Sequence, residues 1–82
     1  MLPLQITYDQ EADAAYIYLQ PQGAQIAKMY PCDPVAVEGM INLDFDAAGR
    51  LVGIEVLGAR SKLAPELLGA ADDITRRQPD VR

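Results

Sequence analysis

The residues of this chain best placed to do chemistry are two carboxylates, Asp44 and Glu55. They lie in the run Met40-Ile41-Asn42-Leu43-Asp44-Phe45-Asp46-Ala47-Ala48-Gly49-Arg50-Leu51-Val52-Gly53-Ile54-Glu55-Val56-Leu57. Alternation puts both on one face of a β-hairpin, diagonally offset, with Asn42 next to both and Gly53 leaving room above the sheet. Such all-oxygen sets hold Mg²⁺, Mn²⁺ or Ca²⁺. Glu38 from another subunit would extend the set across an interface. The plainer reading takes precedence: acids alternating along a solvated face keep a flat sheet soluble and resist edge pairing.

The rest of the inventory is poor. The sequence has no His, one Ser (Ser61) and one Cys (Cys32), so no Ser-His-Asp or Cys-His arrangement can form within one chain. Gly49, Gly53 and Gly58 fall in a hairpin and not between a strand and a helix, which excludes a phosphate-cradling loop. The expectation is a protein that is not an enzyme and has no cofactor. The lone Cys32 allows no internal disulfide and suits a reducing compartment.

Asp9, Glu11 and Asp13 have the spacing that begins a calcium loop. Ala14 then replaces the sixth-position Gly, and Gln20 the twelfth-position Glu. The cluster reads instead as an acidic turn in which Asp9 and Asp13 cap backbone N–H groups and Glu11 faces solvent. Four tyrosines, Tyr8, Tyr16, Tyr18 and Tyr30, form the aromatic set. Tyr16 and Tyr18 share the face opposite Ile17 and Leu19 and are candidate protein-interface residues, because Tyr is enriched in interface cores. Either a C-terminal helix or another subunit must cover them, and the helix is the nearer choice because its own apolar stripe needs a surface.

The elements that must position these groups follow from patterning. Leu4–Tyr8 and Ala14–Gln20 alternate as strands, Pro21-Gln22-Gly23 turns, and a third strand occupies about Ala24–Tyr30. Pro31-Cys32-Asp33-Pro34 reads as a crossing or an edge, since Pro cannot donate to a ladder, and Val35-Ala36-Val37 as a short extended piece. In the hairpin, Ile41, Leu43 and Phe45 share a buried face with Val52, Ile54 and Val56. A type I turn with Gly49 left-handed then sets Phe45 opposite Arg50, Asp44 opposite Leu51, Asn42 opposite Gly53 and Met40 opposite Glu55. Pro65-Glu66 opens a helix, Leu67, Ala71 and Ile74 repeat along it, Arg76-Arg77 suits its negative end, and Pro79 stops it. The fold class is α+β: a small antiparallel β-meander of four to five strands over about 4–58, one C-terminal helix over about 65–77, and a loose tail at 78–82, all in a single domain.

An 82-residue chain buries only about 60–65% of the surface its unfolded form exposes. No apolar stretch approaches the roughly 20 residues of a membrane span, and the N-terminus lacks signal-peptide character, so the expected location is cytoplasmic, with no membrane partner. The net charge of −5 is uneven: residues 1–46 carry seven acids against Lys28 alone, and residues 47–82 carry five acids against six bases. Phosphate neutralisation needs clustered bases, and only Arg76-Arg77 with Arg82 approaches one, so no nucleic acid is expected. One short helix covers only one of two partly apolar sheet faces. A homo-oligomer follows, with a dimer as the commonest symmetry.

The segment Ile6-Thr7-Tyr8-Asp9-Gln10-Glu11-Ala12-Asp13-Ala14-Ala15-Tyr16-Ile17-Tyr18-Leu19 resembles the opening signature of the small bacterial proteins grouped as domain of unknown function (DUF) family 2283. The second block, Asn42 to Asp46, Gly49, and Leu51 through Ala59, is similar to that family's closing pattern. The Pro31–Gly39 stretch is this chain's own variation. The resemblance implies a small antiparallel sheet followed by a helix, and it permits a partner-binding role. Some members are thought to sit beside small toxin-like genes, so it permits an antitoxin role in which the acidic sheet surface meets a basic protein partner.

Overall fold

The structure, a computed structural model, describes residues 4–75. Its elements run β1 (Gln5–Asp9), β2 (Ala14–Tyr18), β3 (Lys28–Pro31), β4 (Met40–Phe45), β5 (Leu51–Leu57), α1 (Ala59–Lys62), α2 (Pro65–Ala70) and β6 (Asp72–Asp73). The strands form one sheet in the order β3-β4-β5-β2-β1-β6, antiparallel except for the parallel pairing of β1 with β6.

This architecture corrects the expected antiparallel meander of four to five strands with one C-terminal helix. The sheet is mixed and six-stranded, and two short helices take the place of one. In a meander β2 would pair with β3; here β2 pairs with β5, and residues 19–27 carry the chain across to the far edge. Strands β2 to β5 thus stand in Greek-key order read from its other end. β3 belongs at an edge because Pro31 has no ladder donor to offer. Cys32 N–H bonds the Ile41 carbonyl at 2.8 Å, which turns Tyr30 and Cys32 toward β4 and leaves the Pro31 nitrogen facing outward. The extended piece expected at Val35–Val37 is a set of turns instead.

The helical segment divides because Pro65 cannot be reached in continuous helix from α1. α1 begins after Gly58, whose φ of 66° is left-handed. α2 starts with Pro at its first turn and Glu66 behind it, as its sequence requires, but it ends at Ala70. Gly69 weakens it, acids would meet its negative end, and Asp72-Asp73 instead extend beside Thr7 and Tyr8. The rest of the expected helix, Arg76-Arg77, and the tail at 78–82 lie outside the described residues.

The register places every strand residue on one of two faces. On the helix side, Tyr8, Ala15, Val56 and Ile41 stand directly opposite one another across four strands. Over this row pack Ala59 of α1, Leu68 of α2, and the flanking Leu63 and Ala71. The next row on the same face is Ile6, Ile17, Ile54, Leu43 and Tyr30, across five strands. The opposite face carries Thr7, Tyr16, Glu55 and Asn42 in one row, and Gln5, Tyr18, Gly53, Asp44 and Met29 in the next. No helix among the described residues is long and apolar enough to cross a membrane.

Candidate functional site

The β4–β5 hairpin corrects the expected register, by one residue at Phe45 and by two beyond it. Gly49 is left-handed at φ 84°, and Asp46 organises the turn: its Oδ1 accepts the Ala48 and Arg50 N–H groups, each at 2.9 Å. Phe45 then pairs with Leu51, not Arg50, and an irregularity at Asp44/Phe45 adds one residue on β5. Beyond it Asp44 faces Gly53, Asn42 faces Glu55 and Met40 faces Leu57. A bulge of this kind is invisible to alternation, because it shifts pairing by one residue without erasing the pattern on either side.

Glu55 therefore sits between Asn42 on β4 and Tyr16 on β2. The Asn42 Nδ2 donates to Glu55 Oε1 at 2.8 Å. The Tyr16 side chain leans diagonally across β5 and donates its hydroxyl to Asp44 Oδ2 at 2.7 Å, spanning from the second strand to the fourth. Its path lies over Gly53. A Cβ on that residue would stand 2.6 Å from Tyr16 Cζ, so the room expected above Gly53 is filled by the tyrosine ring. Tyr18 packs edge-on against Tyr16, with ring centroids 4.7 Å apart and planes at 64°. Beneath these rings Asp44 is only 8% exposed.

Burial, and then the bond to the Asp44 carboxylate, push the Tyr16 hydroxyl well above the usual phenol range, so Tyr16 is a neutral donor at physiological pH. The sheet face thus holds two carboxylates each satisfied by a neutral donor. A cation would have to displace the Tyr16 hydroxyl and the Asn42 amide to gather both. Glu38 lies apart, exposed in the turn that joins β3 to β4, with φ 54°. Among the described residues, no three Cys, Asp or Glu side chains group closely enough to hold a metal ion.

The acidic turn does cap backbone groups. Asp9 Oδ1 accepts the N–H groups of Glu11 at 3.0 Å and Ala12 at 3.1 Å. Asp13, left-handed at φ 53°, joins three elements: its Oδ1 accepts the Tyr8 hydroxyl at 2.8 Å and the Arg60 N–H at 3.0 Å, and its carbonyl accepts the Ala59 N–H at 3.0 Å. The Tyr8 bond, assisted by the Arg60 N–H, holds the Asp13 carboxyl below the ordinary carboxylate range. This Tyr8–Asp13–Arg60 junction was not foreseen. Its signal was the five-residue spacing from Tyr8 to Asp13, which brings the end of one strand back to the start of the next.

Tyr16 and Tyr18 lie on the face away from the helices, which correct the expectation that a C-terminal helix would cover them; only Ile74, of its expected stripe, reaches that side. Two open clefts border the rings. One, of about 270 Å³, is lined by Tyr16, Tyr18 and the β2–β3 connection at Pro21, Gly23, Ala24 and Ile26. The other, of about 280 Å³, is lined by Thr7, Asp9, Tyr16, Tyr18, Glu55 and Ile74.

The residues that make these contacts carry both signature blocks. Tyr8 bonds Asp13 within the first, and Tyr16 of the first bonds Asp44 of the second over Gly53. No curated protein and no solved structure matches the chain. The sequence model described as "Protein of unknown function (DUF2283)" matches residues 5–60, from the start of β1 into α1, and the chain belongs to that family.

Proposed function

We propose that the protein is a non-enzymatic module that works by binding protein and that is itself part of an oligomer. The observation that carries this reading is the row Ile6, Ile17, Ile54, Leu43 and Tyr30. It crosses five strands on the helix side, beside the row over which α1 and α2 pack, with Ile54 set against that core, Ile6, Ile17 and Leu43 half-buried, and Tyr30 exposed. Tyr30 is 56% exposed, and among the described residues no large side chain is fully buried. A face of this width and composition gains about 25 cal/mol for each Å² of apolar surface it hides, and another protein surface is what can hide it.

The other face supports the same reading from chemistry. Asp44 and Glu55 are engaged by Tyr16 and Asn42, and neither carboxylate is paired with a nucleophile or a base. Of the strand acids, Asp9, Asp44, Glu55 and Asp72 lie on that face and Asp73 alone on the other, so a basic partner would be drawn to it, which is the arrangement an antitoxin-like role needs. The test is purification of the tagged full chain from native expression, followed by solution mass. A species heavier than one 8.9 kDa chain is expected. A monodisperse monomer with nothing bound would remove the proposal.

A further inference from the structure

We infer that this half-buried apolar row, with the exposed Tyr30 at its end, is covered by a second copy of this chain, packed face to face about a two-fold axis. The inference rests on the protein-binding reading above and names the partner. Charge selects the orientation. The chain carries a net charge of −5, yet on the helix-side face the charged strand residues are Lys28 and Asp73, which stand at opposite edges of the sheet, while Asp9, Asp44, Glu55 and Asp72 point the other way. Two copies joined by their helix-side faces meet without a carboxylate of β1 to β5 between them, Asp73 standing at the β6 edge, and both acidic faces turn outward. Joining through the acidic faces would oppose like charges at short range.

The sheet edges are poor alternatives. On β3 the outward positions are Met29 and Pro31, so Met29 alone offers an outward N–H, and Lys28 stands beside it. β6 is two residues long and both are Asp. Short strands, Pro and charge are the devices that block strand addition. At about 4.8 Å per strand the row is roughly 24 Å wide, and two such rows packed about 10 Å apart make a core of sandwich geometry. With Tyr30 and Phe45 at its β3 end, the face has the aromatic content of an interface core. Its extent places the dimer at the small end of specific interfaces, so its dissociation should be visible within a micromolar dilution series.

The test is sedimentation equilibrium of the full chain over such a series, for wild type, Tyr30→Asp, Leu43→Asp and Met40→Asp, each checked for fold by far-ultraviolet circular dichroism. Tyr30 and Met40 are both 56% exposed, so neither substitution opens the core, but they lie on opposite faces. Twice the monomer mass is expected for wild type and Met40→Asp, with dissociation weakened at least tenfold in Tyr30→Asp and Leu43→Asp. A wild type monomeric at every concentration overturns the second copy. So does a dimer that Met40→Asp dissolves and Tyr30→Asp does not. If the monomer still captures another protein and Tyr30→Asp abolishes the capture, only the identity of the partner is wrong. If it captures none, the protein-binding reading falls as well.

Discussion

Replacing Gly53 by Ala should destabilise this protein through Tyr16, a side chain of the neighbouring strand. The backbone at Gly53 is not left-handed, so Ala is conformationally allowed, and relief of strand-glycine entropy alone would stabilise by about 0.5–1 kcal/mol. The obstacle is the Tyr16 ring, 2.6 Å at Cζ from the new Cβ. The ring must swing away, and its hydroxyl then leaves Asp44. Losing a hydrogen bond to a charged group costs about 1.5–3 kcal/mol, and with Asp44 only 8% exposed water replaces the hydroxyl poorly. The net expectation is about 1–2 kcal/mol of lost stability, a fall in Tm of roughly 4–8 °C for each kcal/mol in a domain of this size. In a Tyr16→Ala background no ring remains to collide with, and Gly53→Ala should then stabilise by about 0.5 kcal/mol. Urea denaturation of the four proteins in this cycle gives a coupling of about 1.5–3 kcal/mol if the argument holds. Equal effects of Gly53→Ala in the two backgrounds would refute it.

Three further outcomes follow from the same contacts. Asp13 has its carboxyl pKa lowered from 3.8 in the fold, so its contribution is whole above that value and is lost as pH falls through the depressed one; Asp13→Asn should flatten the acid limb of urea midpoints measured below about pH 4. The Tyr16 phenol is raised from 10.0 by burial and by Asp44, so its contribution is whole below pH 10 and is lost as pH rises beyond it. Tyr16 phenolate absorbance should therefore set in at higher pH in wild type than in Asp44→Asn, where burial alone is left to hold the phenol neutral. Calorimetric titration with Mg²⁺, Mn²⁺ or Ca²⁺ should give no heat that Asp44→Asn removes, because both candidate ligands already accept hydrogen bonds; heat abolished by that substitution would restore the cation site.

Local chemistry was legible and long-range pairing was not. Alternation found β1, β2, β4 and β5, and the Asp46–Gly49 turn announced itself by residue type. The β4–β5 register was displaced because a one-residue bulge leaves no mark in apolar spacing. The β2–β5 partnership escaped for a different reason: both strands are apolar on one face and mixed on the other, and nothing in either says which neighbour it takes. α2 ended early because Gly69 and the Asp72-Asp73 pair outweighed the spacing of Leu67, Ala71 and Ile74. For the candidate site, the faces of Asp44, Glu55, Tyr16 and Tyr18 were read from period two, while the bond that joins Tyr16 to Asp44 depends on the unread strand order.

That strand order also sets the schedule of folding. Ala14 pairs with Leu57 and Tyr18 with Gly53, so the central ladder of the sheet closes loops of about 35–43 residues in a chain of 82. During synthesis the β1–β2 hairpin emerges with both flanks unsatisfied: that of β2 waits for β5, and that of β1 for β6. Loop-closure entropy of this size is met before the contacts that reward it, which slows β-rich chains relative to helical ones of equal length. β5 joins the two hairpins into one sheet and leads into α1 through Gly58, so a chain truncated before β5 retains two hairpins and no core.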